Sequence, residues 1–283
     1  MTAAEEGVLL LCCRLGDPNC KPLTMPQFKE LGQRVFPALA GEDPLRQLTA
    51  KDLAGLGYDE ANAEHILRLL DREEQMIAYL RRGEEQNIYP LTRLSEAFPQ
   101  RLRQALGFHT PAVLFYRGDL SLLTKSAVAV IGSRRLMPEN LAFARDMGRY
   151  LAQNDLVLVS GGAIGADLTA QNACISNGGK SVVFVADRLS DHHSEAHTLY
   201  LSADGYDIPF ANYRALDRNK LIHAQADKAV AVQCTRGSGG TWQGCTENLK
   251  HNWSKLFVFD DGSAAMQDLI QQGATPIAKP TQI

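Results

Sequence analysis

The chain has 283 residues, enough for one large domain or two unequal ones at roughly 100–200 residues each. Apolar residues make up 45% and charged residues 22%. With a mean hydropathy of -0.19, that balance excludes disordered, collagen-like and coiled-coil chains, and no apolar run approaches the roughly 18 residues of a membrane span. The formal net charge of -3 gives no global cationic field, so any anion site must be a local patch.

At the N-terminus, Glu5 and Glu6 stand before an apolar stretch where a secretory signal wants basic residues, which argues against export. The six cysteines, Cys12, Cys13, Cys20, Cys174, Cys234 and Cys245, form no CxxC pair. They read as reduced thiols of a cytoplasmic protein. The Cys12–Cys13–Cys20 group lacks a second pair at zinc spacing, so neither a metal nor a cofactor is expected.

Residues 1–85 read as a helical N-terminal domain. The stretch PQFKELGQRVFPAL (26–39) is one helix. YDEANAEHILRLLDREEQMIAYLRRG (58–83) is another, with an apolar stripe at Ile66, Leu69, Leu70, Ile77 and Leu80 and a stop at Gly83. Leu53-Ala54-Gly55-Leu56-Gly57 reads as a short turn between helices. Such an element suits a helix-hairpin-helix module, a sterile-alpha-motif-like module or a plain helical packing domain. Residues 1–90 carry 10 Lys and Arg against 15 Asp and Glu; the remaining chain carries 19 against 17.

Residues 86–125 read as an ordered connector with a helix near Glu96–Leu106 and an edge strand over Pro111–Gly118. From residue 126 to 283 the pattern alternates. Strands are expected at 127–132, 156–160, 181–186, 228–234 and 255–260. Helices are expected at Pro138–Leu151, Gly165–Ser176, Arg214–Ala226, 240–251 and Ala264–Gln272. Short β-branched runs between helices imply parallel βαβ units, hence an α/β fold with a Rossmann-like, doubly wound, mostly parallel sheet. The few residues after Gly273 leave no room for another folded module.

Ligands of such a sheet bind at the carboxyl ends of its strands, and three loops there are rich in glycine, hydroxyl or basic residues. In the first, Gly132 permits a close turn, Ser133 and the following amides suit a phosphate, and Arg134, followed by Arg135, offers a two-donor clamp. The second runs from Ser160, Gly161 and Gly162 through Ala163 and Ile164 to Gly165, Ala166 and Asp167. It opens a helix whose free amides suit an anion. Its spacing is not the GxGxxG dinucleotide fingerprint, and no Walker A lysine follows. Asp167 is expected to cap that helix. The third, Arg236, Gly237, Ser238, Gly239, Gly240, Thr241 and Trp242, makes an amide nest. A fourth segment, Asp217, Arg218, Asn219 and Lys220, adds cations. Phe210, Tyr213 and Trp242 are candidates to stack on bases, and Trp253 is expected in the core. His193 and His197 are one helical turn apart, but they read as part of a solvated loop.

Taken in order and spacing, VAVIGSRR, LVLVSGGAIGAD, RALDRNKLIHAQADKAVAV and RGSGGTWQGCTENL resemble the DNA-processing protein A (Smf) family over roughly residues 86–273, with YPLTRL…FPQRL…PAVLFYRGDLSLL as its lead-in. The resemblance implies a Rossmann-like domain, homodimerisation, binding of single-stranded DNA and its delivery to a RecA-type recombinase during DNA uptake, with no catalytic step. It assigns phosphate binding to Arg134 and the Arg218–Lys220 segment, with backbone donors from Ser160–Gly162 and Gly237–Thr241. The chain departs from the family pattern at Lys220, where a second arginine is usual, at Ala215-Leu216-Asp217, at the Gly-Ser-Gly-Gly-Thr-Trp loop, at Asn172, and in lacking a C-terminal winged-helix-like module. The alternative is a nucleotide-like small-ligand sensor, or a phosphoribohydrolase-like enzyme with Asp167 and Glu247 as its carboxylates.

Overall fold

The computed structural model describes residues 1–38, 48–193, 195–203 and 205–283. It divides into two compact units. The first comprises Met1–Phe98, Phe108–Tyr116 and Ala203–Ile208, and the second comprises Pro99–Gly107, Arg117–Ser202 and Pro209–Ile283.

The first unit contains α1 (Ala3–Cys12), α2 (Met25–Ala38), α3 (Ala50–Gly55), α4 (Glu60–Leu70), α5 (Glu73–Glu84) and an antiparallel pair, β1 (Tyr89–Thr92) and β2 (Val113–Arg117), the last all but its final residue. Leu39, the last residue of the first expected helix, lies outside the described residues. Leu11, Leu31, Val35, Leu53, Ile66 and Leu69 form the core among the helices.

Two expectations are corrected here. The segment expected as a turn is largely helical, because Thr49 and Asp52 cap each other reciprocally and start α3. The long helix expected over 58–83 is two helices. Arg72 leaves the helical path, and its guanidinium donates to the carbonyls of Leu10 and Cys13, closing the otherwise open end of α1. On α5, Tyr79 is fully buried, stacks on Tyr206 at 4.4 Å and donates to Asp207 at 2.8 Å.

The second unit begins with α6 (Gln100–Leu106), shorter than the expected helix because Pro99 sets its start. There follow β3 (Ala127–Ile131), α7 (Pro138–Gln153), β4 (Val157–Ser160), α8 (Ala166–Ser176), β5 (Lys180–Phe184), β6 (Thr198–Ser202), α9 (Asn212–Gln225), β7 (Lys228–Ala231), α10 (Gly239–His251), β8 (Lys255–Phe259), α11 (Ala264–Gln271) and β9 (Thr275–Ile277). The strands run β6-β5-β4-β3-β7-β8-β9, and every pairing among them is parallel. Strands β3 to β5 and β7 to β8 lie where periodicity puts them, within one to three residues at each end.

Strand β6 was hidden in what reads as a polar stretch. Its five residues are all buried, and the hydroxyls at its ends are satisfied internally. Thr198 pairs with Ser181 at 3.1 Å, and Ser202 accepts from Arg214 at 3.0 Å. Buried hydroxyls with partners cost little, so the segment tolerates a composition that looks exposed. Strand β9 is a three-residue edge too short to show a period.

Helices α7 and α8 pack closely because Gly148 has no Cβ, which would stand 2.2 Å from the Ala170 carbonyl oxygen. The chain leaves β3 in one direction through β4, β5 and β6, and α9 then returns it to β7 on the other side of β3. The crevice above the carboxyl ends of β3 and β7 is therefore the topological switch point, where open α/β sheets bind ligands.

Candidate functional site

A cavity of about 430 Å³ occupies that crevice. Its walls are Gly132, Ser133 and Arg134 after β3; Ala163 and Asp167 at the start of α8; Leu216, Arg218, Asn219 and His223 on α9; and Ser238, Gly239, Gly240 and Thr241 at the start of α10. Three separate loops and the α9 segment picked out in the sequence thus meet around one space. Arg135, Ser160, Gly161, Gly162, Gly165, Lys220, Arg236 and Gly237 do not line it.

Several of these residues support the walls from behind. Ser160 is buried, and its hydroxyl accepts from the Gly162 amide at 3.2 Å. Gly165 lets two loops touch: its φ is +103°, and a Cβ there would lie 2.2 Å from the Ser133 carbonyl oxygen. Gly161 makes room for the Arg218 guanidinium, whose Nη1 would stand 1.5 Å from an added Cβ.

Asp167 does not cap α8, whose first turn has no side-chain cap. It is buried instead, and its carboxylate accepts from the Gly161 amide at 3.0 Å. Burial holds its pKa above the ordinary carboxylate value, against the pull of Arg218 and of the Gly161, Ala163 and Gly132 amides. Arg218 turns inward. Its Nη1 donates to the Phe184 carbonyl at 2.7 Å, and its Nε is buried with no hydrogen-bond partner among the described residues. Burial lowers its pKa while Asp167 and Asp187 raise it. Asp167 and Asp187 thus favour the charged form of Arg218, while burial opposes it.

The other cations divide in the same way. Lys220 pairs with Asp217, and Arg236 pairs with Asp268. Arg134 and Arg135 are exposed and have no ion-pair partner among the described residues. Ser133 is less available than its type suggests, since its amide and its hydroxyl both donate to the Gln233 carbonyl, at 2.8 and 3.2 Å.

The amides at the helix starts remain. Helices α7, α8, α9 and α10 all begin at this edge of the sheet without a side-chain cap, whereas α11 is capped by Ser263. An uncapped helix start concentrates positive potential and leaves backbone N–H groups free unless other backbone takes them, as it does at α8, where the Ala166 amide donates to the Ser133 carbonyl at 3.3 Å and the Leu168 amide to the Ala163 carbonyl at 3.1 Å. At α10 the first residues, Gly239, Gly240 and Thr241, line the cavity itself. The lining thus combines backbone donors at the α10 start with the exposed Arg134, an arrangement whose chemistry suits an anion.

Residue types alone did not point to His223. It is 1% exposed, lines the cavity, and keeps an Nδ1 without a partner among the described residues. Burial pulls its pKa down to about 4. Its position four residues after Asn219 was the available signal, one turn further along the same helix face. Trp242 lies inside α10 and not in the glycine loop. Trp253 is half-buried, stacking on His251 at 5.2 Å, and is not a core residue. Glu247 does not line the cavity, so the two carboxylates of the glycosidase alternative do not meet there. Among the described residues no group of three metal-ligating side chains occurs, and no helix is long and apolar enough to cross a membrane.

A model of the DNA recombination-mediator protein A family matches residues 90–283. The DNA processing protein DprA of Streptococcus pneumoniae is 29% identical over 249 residues, 83% of this chain and 85% of its own length. The DprA of Bacillus subtilis is 24% identical over 288 residues, covering 96% and 92%. The solved S. pneumoniae DprA has a similar fold, with a TM-score of 0.73 at 23% identity, covering 99% of this chain and 96% of its own. DNA processing protein A from Helicobacter pylori, whose structure addresses its single-stranded DNA binding mode, gives a TM-score of 0.57 at 25% identity, covering 69% and 93%.

Proposed function

The chain belongs to the DNA recombination-mediator protein A family, and from that premise we propose that it binds single-stranded DNA by the phosphates at the switch-point cavity. The observation that carries this reading is the meeting of the uncapped α10 start, whose Gly239, Gly240 and Thr241 line the cavity, with the unpaired Arg134 on the same crevice. Backbone amides and arginines hold phosphates and leave base identity unread, which suits a protein that handles DNA of any sequence. Gly161 and Gly165 shape the cradle from behind, and Asp167 and Arg218 form part of its wall. Gly239 to Thr241 and Arg134 face the ligand.

The chain then acts by binding and not by bond cleavage. It passes the strand to a RecA-type recombinase in the cytoplasm, as a homodimer whose two cavities share one strand and so gain affinity. The reading is supported by the relatives and by the chemistry of the cavity.

Fluorescence anisotropy with labelled oligonucleotides tests it. Binding should favour single over double strands, strengthen with length and weaken with salt. Arg134→Ala should weaken binding about tenfold at low salt, equally for all sequences. Equal affinity of wild type and Arg134→Ala would sink the phosphate role of this cavity. Displacement of the DNA by a low concentration of a mononucleotide would point instead to a small-ligand sensor.

A further inference from the structure

The first unit carries a small basic patch on an acidic ground. Residues 1–90 hold 10 Lys and Arg against 15 Asp and Glu, yet two cations of this unit converge on one ring. The Lys29 ammonium, on α2, stands 4.0 Å from the centroid of Phe108, and the Arg93 guanidinium, just after β1, stands 6.0 Å from it. Lys29 has no ion-pair partner among the described residues, and its neighbour Glu30 is taken by Arg34. Cations over an aromatic face keep their charge, so positive potential and apolar surface lie side by side here.

Phe108 is 50% exposed, and Leu94, next to Arg93 in the chain, is 54% exposed. Apart from Met1, these are the two most exposed large apolar side chains of the first unit among the described residues. Leu94 is held outward by an ordered turn. The Thr92 amide donates to the Ser95 hydroxyl at 3.0 Å, that hydroxyl donates to Glu5 at 2.6 Å, and the Arg93 amide donates to the Ala112 carbonyl at 2.7 Å. An apolar side chain fixed in solvent by tied backbone can be covered with little further loss of chain freedom.

We propose that Lys29, Arg93, Phe108 and Leu94 form a docking surface for an acidic peptide segment of a partner protein, with leucine- or phenylalanine-like side chains among its carboxylates. The carboxylates meet Lys29 and Arg93, and the apolar side chains cover Phe108 and Leu94. Charge complementarity selects this occupant. A long polyanion would run from the patch onto the acidic remainder of the unit and be repelled there, whereas a short acidic segment ends within the patch. A phosphodiester also gains nothing from a leucine. Glu96, two positions past Leu94, is exposed and sets a limit on the affinity for carboxylates. No residue of the switch-point cavity takes part.

The test selects from a random peptide library displayed on phage with the full chain, counter-selects with the double variant Lys29→Glu/Phe108→Ala, and titrates the enriched peptides by fluorescence anisotropy. Peptides combining Asp or Glu with Leu or Phe should be enriched, and salt should weaken them. Phe108→Ala and Lys29→Glu should each weaken their binding about tenfold, and Glu96→Gln should tighten it. Lys29, Leu94, Glu96 and Phe108 are all exposed, so these variants should keep the circular dichroism and unfolding midpoint of the wild type. No enrichment, enrichment of basic or uncharged peptides, or equal affinity of wild type and double variant overturns the docking surface. Binding of single-stranded oligonucleotides that Phe108→Ala weakens as much as it weakens the peptides assigns the patch to nucleic acid and overturns the peptide.

Discussion

His223 shows how much a single buried side chain can set. It sits on the cavity wall at 1% exposure with burial holding its pKa near 4, against about 6.5 in the unfolded chain. A depressed histidine pKa means the unfolded state binds the proton first as pH falls. Stability from this group is full above about pH 6.5 and declines from there toward pH 4, by roughly 3 kcal/mol in all. Asp167 works in the opposite direction. Its raised pKa lets the folded state take a proton before the unfolded state does, so it adds stability as pH falls through its own range. The histidine part is isolated by difference. The difference in urea unfolding midpoint between wild type and His223→Phe should move against the wild type as pH falls from 7 to 4.5, because only the wild type carries the titrating ring. Parallel curves would mean that the ring is not buried in the neutral form.

The glycine loops are the elements on which the site depends, and their glycines are not equivalent. Gly165 has φ of +103° and backbone 2.2 Å from its missing Cβ, whereas Gly178, at φ +77°, faces open space. Gly178→Ala should cost only the left-handed strain, about 1 kcal/mol. Gly165→Ala should cost roughly 2–4 kcal/mol, because two loops must part as well. It should also weaken DNA binding, which Gly178→Ala should not. Chemical denaturation with anisotropy on the same samples decides this, and equal costs at the two positions would remove the pinned-loop account. The loops themselves were legible, since short glycine and hydroxyl runs directly after β-branched strands have few other uses. What local pattern could not show is which way each polar side chain turns. Arg218 finds a carbonyl 34 positions away in Phe184, Ser133 finds Gln233, and Arg236 finds Asp268. These partners become neighbours only when the sheet assembles. Strand β6 escaped for the same reason, as Thr198 and Ser202 look solvated until Ser181 and Arg214 arrive beside them.

At the scale of the whole molecule, charge decides what kind of DNA binder this can be. The chain is net -3, so it exerts no long-range pull on a polyanion, and affinity has to come from contacts at close range. Near the cavity, Arg218, Lys220 and Arg236 are already committed to carbonyl or carboxylate partners, which leaves Arg134 and Arg135 to displace counterions. Backbone amides hold phosphates without adding net charge, and stacked bases release few ions. For a short oligonucleotide spanning one cavity, two neutralised phosphates give a slope of log affinity against log salt of about -1.4, shallow for a nucleic-acid protein. A titration series over a tenfold salt range measures it directly. A slope near -3.5 would require about five cations at the strand. The paired lysine and arginines would then have to abandon Asp217, Asp268 and the Phe184 carbonyl on binding, and the cradle seen here would be a resting arrangement that DNA rebuilds.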